Sequence, residues 1–333
     1  MNLTLDALPA ATKLGSGPVY DDLFICALGF EDRCTAATKL LDQLTYACGN
    51  ALMLKYDVCV EANEANHDEL KRNLRRITKG EVYERLYVPS DLNEVPTDEN
   101  SARETLEGLL DSYGTDNVSI DISSFSTPAL IEMVDLLFTS RIKRLRLVYT
   151  EGADYPPSSD MARDIESLTE KYMSTSLRKV ITPPTFKGIF TPGYSPLYIA
   201  FLGNEPIRAR SMLEIYQPSR KIIILVKPSK PDQEWKLELL EKLYRFSITP
   251  QDKMTILPND YKEVYKYLET IYSEYCEVHN INVLPLGSKM QTLAVLLLLG
   301  NHRDVKLLIP IPERYQPERY AKGVGETIEM VFT

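Results

Sequence analysis

Two stretches of this chain set glycine, carboxylate and guanidinium groups side by side directly after an apolar run. At Leu23–Arg33 the order is Leu-Phe-Ile-Cys-Ala-Leu-Gly-Phe-Glu-Asp-Arg, and at Leu197–Arg208 it is Leu-Tyr-Ile-Ala-Phe-Leu-Gly-Asn-Glu-Pro-Ile-Arg. Glycine at a strand end lets backbone N–H groups approach a ligand. The helix that follows attracts an anion at its N-terminus, and arginine presents a fork of donors to phosphate or carboxylate oxygens. The candidate ligand contacts are therefore Gly29, Phe30, Glu31, Asp32 and Arg33 in the first stretch, and Gly203, Asn204, Glu205 and Arg208 in the second. Glu31 and Glu205 are also the candidate catalytic residues, because single carboxylates in corresponding turns could pair for acid–base work. The competing reading is structural: the glycines serve tight turns, and Arg33 pairs with Glu31 or Asp32.

A second pair of turns follows later strands. Ser123-Ser124-Phe125-Ser126-Thr127-Pro128 and Gly287-Ser288-Lys289 each lead into an apolar helical run, adding Ser123, Ser124, Gly287, Ser288 and Lys289 to the candidate contacts. Gly287-Ser288-Lys289 shares residue types with a phosphate-binding P-loop but lacks its upstream glycine, and no G-x-G-x-x-G follows any strand. No G-x-S-x-G elbow or H-E-x-x-H occurs. His67, His279 and His302 fall on a charged helix, a helix end and a turn, where solvated or capping roles fit better than catalysis. The five cysteines form no C-x-x-C pair and read as small buried hydrophobes, so neither a metal nor a cofactor is expected.

The elements that must position these turns alternate. Apolar runs at Leu23–Leu28, Ala51–Tyr56, Tyr83–Val88, Val118–Ile122 and Leu145–Tyr149 read as strands. Helical spacing at Cys34–Leu44, Asn63–Ile77, Ala102–Tyr113 and Leu130–Phe138 separates them, with Thr127 as cap. The rhythm restarts with strands at Leu197–Leu202, Lys221–Val226, Met254–Leu257, Asn282–Leu286 and Val305–Ile309. Helices at Ile207–Tyr216, Gln233–Leu243, Asp260–Val278 and Lys289–Leu299 lie between them, and Ile328–Phe332 could add an edge strand. The expected fold is α/β: two tandem Rossmann-like units with mainly parallel sheets, helices on both faces, and a pseudo-two-fold arrangement. Unit 1 is placed at residues 1–150 and unit 2 at 196–333. A connector at 151–195 would carry a helix near Asp160–Tyr172. In such sheets ligands bind beyond the carboxyl ends of the strands where strand order reverses, so the turns after strands one and four should meet. The row Tyr261, Tyr265, Leu268, Tyr272 and Tyr275 has helical spacing and reads as a packed face rather than a base-stacking platform.

Composition narrows the function. The chain has 333 residues, 44% hydrophobic and 26% charged, enough for two domains with real cores. A net charge of -9 argues against general nucleic-acid binding, and the basic clusters at Lys71–Arg76 and Arg141–Arg146 read as solvated helix ends. The longest apolar run, Leu293–Leu299, is too short to span a bilayer and no leader pattern opens the chain, so a cytoplasmic protein without membrane contact is expected.

With the turns placed, the chain resembles the CRISPR-associated Rossmann-fold (CARF) sensor modules of prokaryotic antiviral defence. Gly287-Ser288-Lys289-Met290 after Asn282–Leu286 looks like that family's turn after strand four, while Gly29 to Arg33 and Gly203 to Arg208 match its strand-one turns. Ser123-Ser124-Phe125 departs from the pattern, having neither glycine nor lysine. The resemblance implies a cyclic nucleotide bound across a pseudo-two-fold axis, with the tandem units standing in for a dimer and a separate effector protein supplying the output. Two other readings stay open: a nucleotide hydrolase or transferase using Glu31 or Glu205, and an interaction scaffold whose partner docks on 151–195.

Overall fold

The computed structural model describes residues 5–15, 17–91, 101–112, 114–156, 176–203, 205–228, 231–244, 249 and 252–333. Asn204 and the helix expected near Asp160–Tyr172 lie outside them. The chain opens with β1 (Thr12–Lys13), β2 (Tyr20–Ala27), α1 (Ala36–Gln43), β3 (Ala47–Lys55), α2 (Val60–Ile77) and β4 (Val82–Leu86). It continues with α3 (Ala102–Asp111), β5 (Asn117–Asp121), α4 (Thr127–Thr139), β6 (Arg144–Asp154) and β7 (Leu177–Ile181). Next come β8 (Ser195–Leu202), α5 (Pro206–Tyr216), β9 (Arg220–Val226), α6 (Trp235–Tyr244), β10 (Lys253–Leu257) and α7 (Tyr261–Tyr275). The chain ends with β11 (His279–Leu286), α8 (Lys289–Asn301), β12 (Lys306–Leu307), β13 (Ile309–Pro312) and β14 (Lys322–Phe332).

Two sheets carry the repeat. One has the order β4-β3-β2-β5-β6-β14-β1 and the other β10-β9-β8-β11-β12. Laid over each other, the first strand of each unit (β2, β8) is central and pairs in parallel with both the second and the fourth strand. Strand order therefore reverses beside β2 in one sheet and beside β8 in the other. Both central strands end in runs buried on both faces, as parallel strands covered by helices must be: Leu23 to Leu28 and Leu197 to Leu202 are at most 5% exposed.

Helices cover both faces of each sheet. The outer faces carry separate cores, one with Leu41, Leu70 and Leu74 of α1 and α2, the other with Met212 of α5 and Leu240 of α6. Between the sheets runs a third, continuous core. It joins Leu130 and Val134 of α4 to Leu293 and Leu297 of α8, and α4 packs directly on α8. That explains why α8 is apolar all round: Met290 to Leu299 are all buried, so no face needs to meet water. Tyr261, Tyr265, Leu268 and Tyr275 of α7 are buried in the same core, a packed face as their spacing predicts.

Four features depart from the sequence reading. The cap of α4 is Ser126, whose hydroxyl accepts from the Ala129 N–H at 3.3 Å, one residue before the expected Thr127. The last repeat strand is split, because Pro310 and Pro312 lack the N–H that continued pairing would need. β12 stays in the second sheet while β13 leaves to pair with β7. The tail, assigned above to unit 2, returns as β14 to the first sheet and runs antiparallel to β6, Ile328 opposite Tyr149 and Phe332 opposite Leu145. The Arg141–Arg146 cluster is not a solvated helix end. Arg144 and Arg146 lie in β6, where Arg144 meets Asp21 at 2.9 Å and buried Arg146 meets buried Glu329 of β14 at 2.6 Å.

Candidate functional site

In each unit the turns after strands one and four touch. A Cβ added at Gly29 would lie 2.8 Å from the Ser124 Cβ, and one added at Gly203 would lie 2.8 Å from the Leu286 carbonyl oxygen. Both glycines are therefore required by close approach. The Gly29 N–H donates to Cys34 Sγ at 3.2 Å and its carbonyl accepts from the Asn66 amide at 2.8 Å; the Gly203 N–H donates to the Leu286 carbonyl at 3.2 Å. These backbone groups hold the turns together.

Arg33 is fully engaged. Its guanidinium forms a fork on Glu31, with contacts of 2.8, 3.1 and 3.2 Å, and also donates to the Tyr149 hydroxyl, the Thr150 carbonyl and the Tyr155 hydroxyl. Burial draws its pKa down, but the Glu31 carboxylate more than offsets this and the net shift is upward. Glu31 also accepts from the Ala321 N–H at 3.1 Å, and Asp32 accepts from the Gly323 N–H at 2.7 Å. Phe30 stacks edge-on against Tyr320, ring centroids 5.0 Å apart. The strand-one turn of unit 1 is thereby clasped by the segment entering β14.

Unit 2 repeats the motif. Arg208 meets Glu205 at 2.5 Å and donates to the Pro310 carbonyl at 2.8 Å. Tyr315 and Tyr320 lie in the field of this pair, and burial raises the pKa of both phenols. Residues 313–321 thus reach the strand-one turns of both units.

The strand-four turns complete the site. Asp121, at the end of β5, accepts from the Ser123 N–H at 3.0 Å and from its hydroxyl, and the same hydroxyl accepts from the Thr150 N–H at 2.8 Å. Burial raises the Asp121 carboxyl to about 6, against the Ser123 hydrogen bonds and the Arg33 charge. In unit 2, Ser288 caps α8 in a reciprocal box with Gln291 and donates its hydroxyl proton to Asn259 Oδ1 at 2.6 Å. Asn259 in turn donates to Glu151 at 3.3 Å, across from unit 2 to the end of β6.

Lys289 links the strand-four turn of unit 2 to both turns of unit 1. Its ammonium donates to the carbonyl of Phe125, in the strand-four turn of unit 1, and it feels both Arg33 and Glu31 of the strand-one turn. Burial first, then the Arg33 charge, lowers its pKa to about 8, while Glu31 opposes the shift. The acids and bases at these turns are paired with one another. Glu31 and Glu205 each face an arginine, an arrangement suited to shaping a pocket rather than to moving protons.

The sequence reading missed Asn66, Asn259, Tyr149, Tyr155, Tyr315 and Tyr320. Asn259 stands between the end of β10 and the cap Asp260, so the rule that ligands gather at strand carboxyl ends would have found it had every strand been considered. The histidines lie elsewhere: His67 meets Glu84 at 2.8 Å, His279 meets Ser195 at 2.8 Å, and His302 meets Glu269 at 2.8 Å. Among the described residues no cluster of His, Cys, Asp or Glu could hold a metal ion, and no helix is long and apolar enough to cross a membrane.

No protein-family model matches the chain, and no curated protein matches it in sequence. Its fold is similar to that of a Type III CRISPR defence DNA nuclease activated by cyclic oligoadenylate. The TM-score is 0.53 and the identity 11%, over 91% of this chain and 67% of that one. The cytoplasmic domain of a prokaryotic cation chloride cotransporter aligns over 90% of this chain and 99% of its own, at 10% identity and a TM-score of 0.26. The first likeness is one of fold, and it agrees with the tandem α/β arrangement of the two sheets.

Proposed function

We infer that the chain is a CARF-like sensor that binds a nucleotide-type ligand where the strand-four turn of unit 2 meets the turns of unit 1, and that a separate effector protein reads out the bound state. The observation that carries this reading is Lys289, a half-buried cation that bridges from unit 2 to the Phe125 carbonyl of unit 1 beside Arg33. Such a cation, at the N-terminus of a helix and between two lobes, suits a phosphate. A protein of similar fold is a nuclease activated by cyclic oligoadenylate, which makes cyclic oligoadenylates the first ligands to test. Calorimetry with cyclic and linear oligoadenylates should show binding to the wild type, weakened about tenfold or more in Lys289→Ala, the loss of one charge-assisted contact. No binding to either protein would sink the reading.

A further inference from the structure

Residues 313–323 run from the end of β13 into the start of β14, and a break in strand pairing marks each end. Register shifts between Ile311 and Pro312, where β13 pairs with β7, and between Val324 and Thr327, where β14 pairs with β6. Gly323 stands at φ +67°, a backbone conformation that glycine adopts freely. Irregular pairing of this kind lets a chain change direction at both places. Between the breaks the segment meets the strand-one turns. Glu31 accepts from the Ala321 N–H at 3.1 Å, Asp32 accepts from the Gly323 N–H at 2.7 Å, and the Tyr320 ring lies 5.0 Å from that of Phe30. Tyr320 also lies in the field of both Glu205 and Glu31, so one side chain reaches the turns of both units. The seating is imperfect. Within the segment, Gln316 Oε1 is buried and has no hydrogen-bond partner among the described residues, and an unpaired buried acceptor is costly.

Resting on the nucleotide reading above, we propose that residues 313–323 are a strap that closes the candidate site from within, the Tyr320 ring holding on Phe30 the place of a nucleobase. A base offers Phe30 the same kind of flat π-face that a phenol does, and takes over that contact when the strap is displaced. The strap therefore opposes binding. Loosening it should raise affinity, whereas the loss of a direct ligand contact would lower it.

The test uses the full chain and cyclic tetraadenylate. By calorimetry, Tyr320→Ala should bind it about tenfold more tightly than the wild type, the effect of one lost aromatic pair. Tyr320→Phe, which keeps the ring, should match the wild type. Gly323→Ala would set a Cβ 3.0 Å from that of Ala153 at a strained φ, so it loosens the strap with the ring retained and should also tighten binding. In the wild type, saturating ligand should quicken trypsin cleavage after Arg319 and Lys322. Weaker or unchanged binding by Tyr320→Ala, or cleavage that the ligand slows or leaves unchanged, would overturn the proposal. Without any ligand, hydrogen exchange at the Ala321 and Gly323 amides should be faster in Tyr320→Ala than in the wild type. If the wild type and both loosened variants bind no oligoadenylate, the nucleotide reading falls. The exchange measurement then still decides on the strap, and equal rates would dismiss it.

Discussion

A lysine ammonium is at its most stable in water, where all three protons are hydrated, and Lys289 gives up much of that for the Phe125 carbonyl. Its pKa of about 8 has a consequence for any anionic ligand. Below about 8 the amine is already charged. Above it, binding must draw a proton from solvent, so affinity falls by up to about tenfold per pH unit until the pKa of the complex is reached. The groups that face it, Arg33 and Glu31, are paired at 2.8 Å, and Asp121 titrates lower, at about 6. Phosphate affinity measured from about pH 7 to about pH 9.5 should therefore bend near 8. Lys289→Arg, which stays charged, should straighten the profile. A wild-type profile that is flat throughout would count against the role of Lys289. The Glu31–Arg33 fork makes a different prediction. Neither side chain is more than 11% exposed, so Glu31→Gln leaves a buried guanidinium half-paired and should cost about 3–5 kcal/mol of stability in denaturant unfolding. A cost near zero would mean that the fork does not hold this turn.

At the scale of elements, much of the alternation was legible in the sequence, because helical and strand periods are local properties of the chain. β2, β5, β8, α7 and α8 fall within a few residues of their predicted bounds. The pairing of β14 with β6 was not legible. An apolar tail shows that it forms a strand but not which edge it joins, and the edge is chosen by a contact between distant residues. That contact is Arg146 with Glu329, more than 180 residues apart, and the Glu329 carboxylate also accepts from the Gly15 and Gly17 N–H groups at 3.1 and 2.7 Å. The candidate site divides along the same line. Gly29, Arg33 and Lys289 could be found from spacing, but the clasp of Tyr320, Ala321 and Gly323 on the strand-one turn depends on where β14 goes. Glu329→Ala should therefore loosen β14 as a unit. Hydrogen exchange at the Gly15, Gly17 and Ala321 amides should accelerate together, with a loss of about 3–5 kcal/mol for a buried arginine stripped of its nearest carboxylate. Exchange that changes only at Gly15 and Gly17 would show that the clasp stands without this pair.

At the scale of the molecule, the question is whether two units fold as two domains or as one. Tandem sheets with their own outer cores would allow separate melting, since each has apolar surface enough to bury. The core between the sheets argues otherwise. α4 and α8 share it, α8 has no polar face to expose if the units part, and β14 leaves unit 2 to complete the sheet of unit 1. Separation would uncover Leu293, Leu296 and Leu297 together, at roughly 1.5–3 kcal/mol for each side chain. One cooperative transition is therefore expected in thermal unfolding followed by both circular dichroism and intrinsic fluorescence. Leu293→Ala, which opens a cavity in the shared core, should lower that single transition by about 2–5 kcal/mol without splitting it. Two resolved transitions in the wild type would show that the lobes are energetically independent. A ligand held by Lys289 and Phe125 would then have to supply the coupling that the shared core provides here.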